Sequence, residues 1–219
     1  MRRMFVVWVA LVSVAGFVAV ARRRGATRPD RSIRFDPVVV GTIEADGWRA
    51  YYDRDFVTGF RLLLRLMREQ FGLGPLGAIR AAHAAVRAQR AFAPVANDLD
   101  ATLRWLTRFY ELSPRRDGVA AVDLARAELD YWIVHRRIVD QADKRELVDA
   151  FTRLHVLLFG GDEVTMRPSA EQRTLACNTV DRITGKRSLD LEGDWRSARE
   201  HLIAAYQLAV AASPVQASN

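Results

Sequence analysis

Residues 48–71 read WRAYYDRDFVTGFRLLLRLMREQF. Within this stretch Trp48, Tyr52, Phe56, Phe60, Leu63, Met67 and Phe71 recur at steps of three or four. That spacing stacks side chains on one face of an α-helix. Gly72 follows and is a helix stop. An apolar stripe this wide needs a facing partner, so the stretch predicts one bundle helix running from about Asp46 to Gly72.

The same period continues to the end of the chain. An Ala-rich helix is expected from about Gly77 to Phe92, with Pro94 just beyond it. A third starts near Asp98, carries Leu99, Leu103, Leu106 and Tyr110, and stops at Ser113-Pro114. A fourth starts near Asp117 and carries Val122, Ala125, Leu129 and Trp132. The fifth opens at Asp143 with Glu146 and the sixth at Ser169 with Gln172, both in the spacing of a capping box. The seventh starts near Asp194 and ends near Ser213-Pro214. No stretch alternates in the manner of a strand, and no repeat recurs at a fixed period, which excludes a solenoid. The fold class is therefore all-α: an N-terminal single transmembrane helix followed by a helical bundle of about seven helices.

The transmembrane expectation rests on Met4 to Ala21, MFVVWVALVSVAGFVAVA, without one charge. As a helix it rises roughly 27 Å, close to the hydrocarbon thickness of a bilayer. Ala19-Val20-Ala21 also has the form of a signal-peptidase site, so an exported chain cleaved after Ala21 is an alternative. Arg22, Arg23 and Arg24 resist translocation and favour an uncleaved anchor. Because the flank after the run is richer in Arg than the flank before it, the bulk of the chain is expected in the cytoplasm. The domain reading is an anchor over 1–21, a basic linker over 22–46, an all-α globular domain over 47–213 and a tail over 214–219. Pro29 and Pro37 disfavour helix in the linker, where Val38-Val39-Val40 reads as a short extended stretch.

The 219 residues carry a formal charge of +7. All of it lies in residues 1–34, which hold eight Arg and the single acid Asp30; the remaining residues hold 25 basic and 25 acidic groups. A domain with no net excess of cations is not a nucleic-acid binder. The single Cys177 fits a reducing compartment and excludes an internal disulfide framework.

The chemistry-bearing motifs are few. Gly72-Leu73-Gly74-Pro75-Leu76-Gly77 spells a dinucleotide fingerprint, but it follows a helix and not a strand, and Pro75 removes a donor, so it reads as a loop. The four His form no HExxH or Glu-x-x-His pattern, so neither a metal nor a cofactor is expected. The densest stretch is Glu128 to Arg137, ELDYWIVHRR. Glu128 and His135 share a helix face, and His155 on the next helix faces them in an antiparallel hairpin. These residues are the candidates for a polar pocket, with Glu128 and His135 as acid and base and Arg136 as an anion clamp. Core packing by Leu129 and Trp132, with the charges solvated, accounts for the same stretch.

Arg54, Arg61, Arg65 and Arg68 are spaced seven, four and three apart and form one stripe, opposite Phe56, Phe60, Leu63, Met67 and Phe71. A basic amphipathic helix near an anchor suits anionic headgroups, although an ordinary bundle helix with Arg outside has the same pattern. The leading functional expectation is a single-pass cell-membrane protein whose cytoplasmic all-α domain binds another protein or the membrane surface. Its partners would be the bilayer through residues 4–21, anionic lipid through Arg22, Arg23, Arg24, Arg61, Arg65 and Arg68, and an unidentified protein. A membrane-tethered enzyme built on Glu128, His135, Arg136 and His155, and an exported helical binding protein, are the alternatives.

Overall fold

Eight α-helices make up the described part of the chain: α1 (Pro37–Tyr52), α2 (Phe56–Phe71), α3 (Pro75–Phe92), α4 (Leu99–Leu112), α5 (Ala121–Ile138), α6 (Arg145–Phe159), α7 (Glu163–Thr184) and α8 (Leu191–Ala212). The computed structural model describes residues 35–214, and among them there is no strand. The all-α expectation holds. Among the described residues no helix is long and apolar enough to cross a membrane. The expected transmembrane run, residues 4–21, lies outside them, as do Arg22, Arg23 and Arg24.

Several boundaries differ from the sequence reading: α5 starts at Ala121 and not near Asp117, α6 has Lys144 at its N-cap with no side-chain cap in place of the expected box at Asp143, and α8 starts at Leu191 under an Asp190 cap. Three further differences have a clear local reason. Residues 37–46, expected to be linker, are helical. Pro37 starts α1 and does not prevent it, because a proline at the first helical position gives up a donor that has no partner anyway. Asp36 caps that end, its carboxylate accepting from the amides of Val38 and Val39. The single helix expected over 48–71 is two. Asp53-Arg54-Asp55 turns the chain, with Arg54 in the left-handed region at φ 62° and Asp55 capping α2. The sixth expected helix starts not at Ser169 but at Glu163. Asp162 and Thr165 form a reciprocal capping box there, and Pro168 is accommodated inside α7. Other ends match: Gly72 closes α2 in a left-handed conformation, and Asp98 caps α4.

Joins of three to eight residues connect helices that pack on their chain neighbours, so the path runs up and down, and α8 closes the ring against α1. Small residues set the closest approaches. A Cβ on Gly41 of α1 would meet the backbone of Ile203 in α8 at 2.8 Å. Ala78, Ala81, Ala82, Ala84 and Ala88 bury one face of α3. Leu106, Leu124, Leu147, Phe151, Met166 and Leu202 are the largest apolar side chains fully enclosed. Odd-numbered helices all run in one direction, so residues at like distances along α1, α5 and α7 stand at like heights in the bundle.

Candidate functional site

That alignment puts three rows of side chains toward the bundle axis. On α1 the row is Glu44, Trp48 and Tyr52; on α5 it is Glu128, Tyr131 and His135; on α7 it is Arg173, Cys177 and Asp181. Steps of three or four keep each row on one helix face. The rows meet tier by tier. In the lowest tier Arg173 donates to both carboxylate oxygens of Glu44, at 3.2 Å from Nη1 and 2.5 Å from Nη2. The hydroxyl of Tyr206 in α8 donates to the same carboxylate at 2.6 Å. The guanidinium sits 5.9, 5.4 and 5.8 Å from the ring centres of Trp48, Phe151 and Tyr206. Rings at this range stabilise a cation already paired with its carboxylate. Glu128 accepts from the hydroxyl of Tyr110 in α4. In the middle tier the Tyr131 and Phe151 rings lie 4.5 Å apart, and Trp48 packs against the buried cluster that includes Cys177. In the upper tier His135 Nε2 lies 3.0 Å from Asp181 Oδ2, and Tyr52 lies near Trp195.

The column is desolvated yet reachable. Burial pushes the Glu128 carboxyl above its ordinary value, against the pull of the Tyr110 hydroxyl and Arg173. Burial likewise raises the Tyr52 and Tyr131 hydroxyls, and it pushes the Cys177 thiol up to about 12. Burial alone would lower Arg173, but the Glu44 carboxylate holds it well above its ordinary value. Even so, Tyr52 is 38% exposed, and Trp48, Glu128 and Tyr131 are half-buried. These groups are desolvated and still touch solvent at their edges.

Of the four candidate residues, the column gathers Glu128 in its lowest tier and His135 in its upper tier. The structure gives each of the four a different partner. His155 is buried within reach of Arg173, and Ser169 fixes its tautomer. The Ser169 Oγ lies 2.9 Å from His155 Nδ1 and 2.7 Å from the carbonyl oxygen of Ala205. A hydroxyl has one proton and a carbonyl only accepts, so that proton goes to Ala205 and Nδ1–H donates to Oγ. Burial, aided by Arg173, lowers the His155 pKa to about 3, so the ring is neutral. Arg136 donates to the carbonyls of Phe92, Ala93 and Pro94, with its guanidinium 3.8 Å from the centre of the Phe92 ring. It caps the C-terminal end of α3. Among the described residues no group of His, Cys, Asp and Glu is placed to hold a metal ion.

The sequence reading missed Glu44, Arg173 and Tyr206. Their signal was the i, i+4 row itself: a polar residue in line with aromatic and apolar ones, as in Glu44, Trp48 and Tyr52.

The arginine stripe is a second feature, on the outside. Arg61, Arg65 and Arg68 are exposed on α2. Arg65 reaches Glu69 at 3.9 Å, whereas Arg54, Arg61, Arg68, Arg80, Arg87 and Arg90 make no ion pair among the described residues. Outside this span nine of the sixteen described arginines hold an ion pair, as in Arg108–Glu111, Arg153–Asp130, Arg167–Asp149 and Arg182–Asp194. Between 54 and 90 the only acids are Asp55 and Glu69. Val57 and Phe60 on α2 and Leu76 and Ile79 on α3 are exposed among these cations.

Comparison with known protein families, curated proteins and solved structures finds no match to this chain.

Proposed function

We propose that the chain is a membrane-tethered helical domain that works by binding, and that the hairpin of α2 and α3 is the face it lays on an anionic bilayer. The observation that carries this reading is the concentration of unpaired arginine on these two helices, where only Arg65 of six arginines holds an ion pair, against nine of sixteen described arginines outside residues 54–90. Each exposed cation near an anionic surface contributes about 1 kcal/mol, and exposed apolar side chains beside it enter the headgroup boundary. The tether fits. Fifteen residues separate Ala21 from the start of α1, a reach of at most about 50 Å. The start of α1, the end of α2 and the start of α3 share one end of the bundle, so the tether leads to the basic hairpin. The charge asymmetry around residues 4–21 places the domain on the cytoplasmic side in this reading.

The test is sedimentation of residues 35–219 with vesicles of phosphatidylglycerol and phosphatidylcholine. The expected result is binding that requires the anionic lipid, weakens as salt rises, and falls more than tenfold when Arg61, Arg65 and Arg68 are all changed to Ser. Equal binding by the triple variant, or by vesicles of phosphatidylcholine alone, would sink the reading.

A further inference from the structure

A cavity of about 420 Å³ lies at the end of the bundle where α5 and α7 finish. That volume falls in the range of small-molecule sites, roughly 300–1,000 Å³. Its polar wall is Asp140 in the turn after α5, Lys144 at the start of α6, Asn178, Asp181 and Arg182 on α7, and Arg187 in the loop beyond. Spacings of three and four put the α7 residues on one helix face. A surface that binds lipid leaves this cavity unused.

Two of its three cations are not neutralised. Arg182 is held by Asp194 through Nε and Nη2, at 3.0 and 2.5 Å, which leaves Nη1. Lys144 donates to the carbonyls of Ile138 and Val139, at 2.7 and 3.0 Å, and keeps one ammonium proton. The Arg187 guanidinium lies 3.5 Å from the carbonyl oxygen of Asp181. Neither Lys144 nor Arg187 makes an ion pair among the described residues. Carbonyls accept hydrogen bonds but carry no net charge, so both cations keep theirs. Of the acids on the wall, Asp181 is taken by His135 at 3.0 Å, and Asp140 is exposed, where solvent and salt screen it. Asn178 supplies an independent signal. Its Oδ1 is enclosed and has no hydrogen-bond partner. An enclosed acceptor without a donor is costly, so it marks a place where a donor arrives. Two free cations beside an idle acceptor match a dianion that also bears a hydroxyl. The cavity is at the opposite end of the bundle from the start of α1, since α1, α5 and α7 run in one direction. With α7 roughly 33 Å long, that position favours a dissolved ligand over a lipid headgroup at the tether.

We infer that this cavity is a binding site for a small phosphate monoester carrying a hydroxyl group, with its phosphate on Lys144 and Arg187 and its hydroxyl donating to Oδ1 of Asn178. This goes beyond the membrane-surface reading and does not depend on it.

The experiment uses the full chain in nanodiscs of phosphatidylcholine and isothermal titration calorimetry with glycerol 3-phosphate, methyl phosphate and glycerol as probes. Saturable binding of one equivalent of glycerol 3-phosphate is expected, at least about tenfold tighter than glycerol. Methyl phosphate, which has the charge but no hydroxyl, should fall between them. Arg187→Ser, an exposed change checked by its helical melting transition, should weaken both phosphates by about tenfold. Asn178→Ala should bring glycerol 3-phosphate down to methyl phosphate and leave methyl phosphate as it was. Changing Arg61, Arg65 and Arg68 together to Ser should alter neither, which separates this cavity from the stripe on α2. The probe series on the unaltered chain reads the preference even where a variant fails to fold. Equal binding of glycerol and its phosphate would mean a polar cavity without charge recognition. Phosphate binding that survives in folded Arg187→Ser, or that disappears with the α2 stripe, would place the anion elsewhere. A gap between the two esters that persists in folded Asn178→Ala would take the hydroxyl away from Asn178. Any of these overturns the inference, as does the absence of saturable binding of glycerol 3-phosphate up to about 10 mM.

Discussion

Arg173 of α7 holds Glu44 of α1 through both guanidinium nitrogens, across 129 residues of chain. The two side chains are 12% and 10% exposed, so both charges have left water for each other. Taking one away strands the other. Arg173→Met is expected to destabilise the domain by about 3–5 kcal/mol, and Glu44→Gln by a similar amount. The double variant Glu44→Gln/Arg173→Met should be more stable than Arg173→Met, since no uncompensated carboxylate remains at Glu44. Urea unfolding of the four proteins closes the cycle, and strictly additive losses would deny the coupling.

The seam between α1 and α8 rests on a missing side chain. Gly41→Ala would put a methyl 2.8 Å from the backbone of Ile203, where no rotamer change makes room. The helices must part. A loss of about 2 kcal/mol or more is expected, although alanine is the better helix former by up to about 1 kcal/mol. Gly47→Ala is the control on the same helix, because its nearest neighbour is 4.0 Å away. Thermal unfolding should show that variant at or above the parent, and Gly41→Ala well below it.

The helical fold was legible because its apolar residues recur on the helix period, and the ends at Gly72 and Asp98 were legible because each carries its own stop or cap. What failed was local. Tyr52 and Phe56 keep the spacing of four across the turn at Asp53-Arg54-Asp55, so the pattern ran through a break that only the left-handed Arg54 reveals. Pro37 was read as an obstacle to helix, yet it starts α1. Ser169 resembled a cap but is a buried partner of His155. Glu128 stood out because acids and aromatics crowd its own segment. Arg173 and Glu44 did not, because what joins them is the packing of α7 and α8 against α1, which no periodicity in either segment encodes.

Arg136 was expected to clamp an anion, and its donors are turned to the end of α3. Arg136→Ala should remove a C-terminal cap and a ring contact together. A loss of about 1–2 kcal/mol is expected, with faster amide hydrogen exchange concentrated in the last turn of α3. Arg136→Lys keeps the charge but not the fork that reaches the carbonyls of Phe92 and Pro94. It should recover less than half of that loss. If Arg136→Lys restored exchange protection in full, charge alone would account for the contact.

His155 makes stability depend on pH in a defined direction. Its pKa is 6.5 in a free side chain and is lowered to about 3 in the fold, chiefly by burial. Between those values the unfolded chain binds a proton that the native ring refuses. Stability then falls as pH drops, by up to about 1.4 kcal/mol for each pH unit below about 6.5. The carboxyl of Glu128 works the other way, since its raised pKa favours the native state while it is protonated. Over its own window, above the ordinary carboxylate value, stability falls as pH rises. The two separate by substitution. His155→Gln, which keeps a donor for Ser169, should flatten the acid side of the profile between about pH 4 and 6. Glu128→Gln should raise stability at neutral pH relative to acid pH and leave the histidine slope intact. Urea midpoints for the parent and both variants from pH 4 to pH 8 read this directly. An acid slope that persists undiminished in His155→Gln would show that another group carries it.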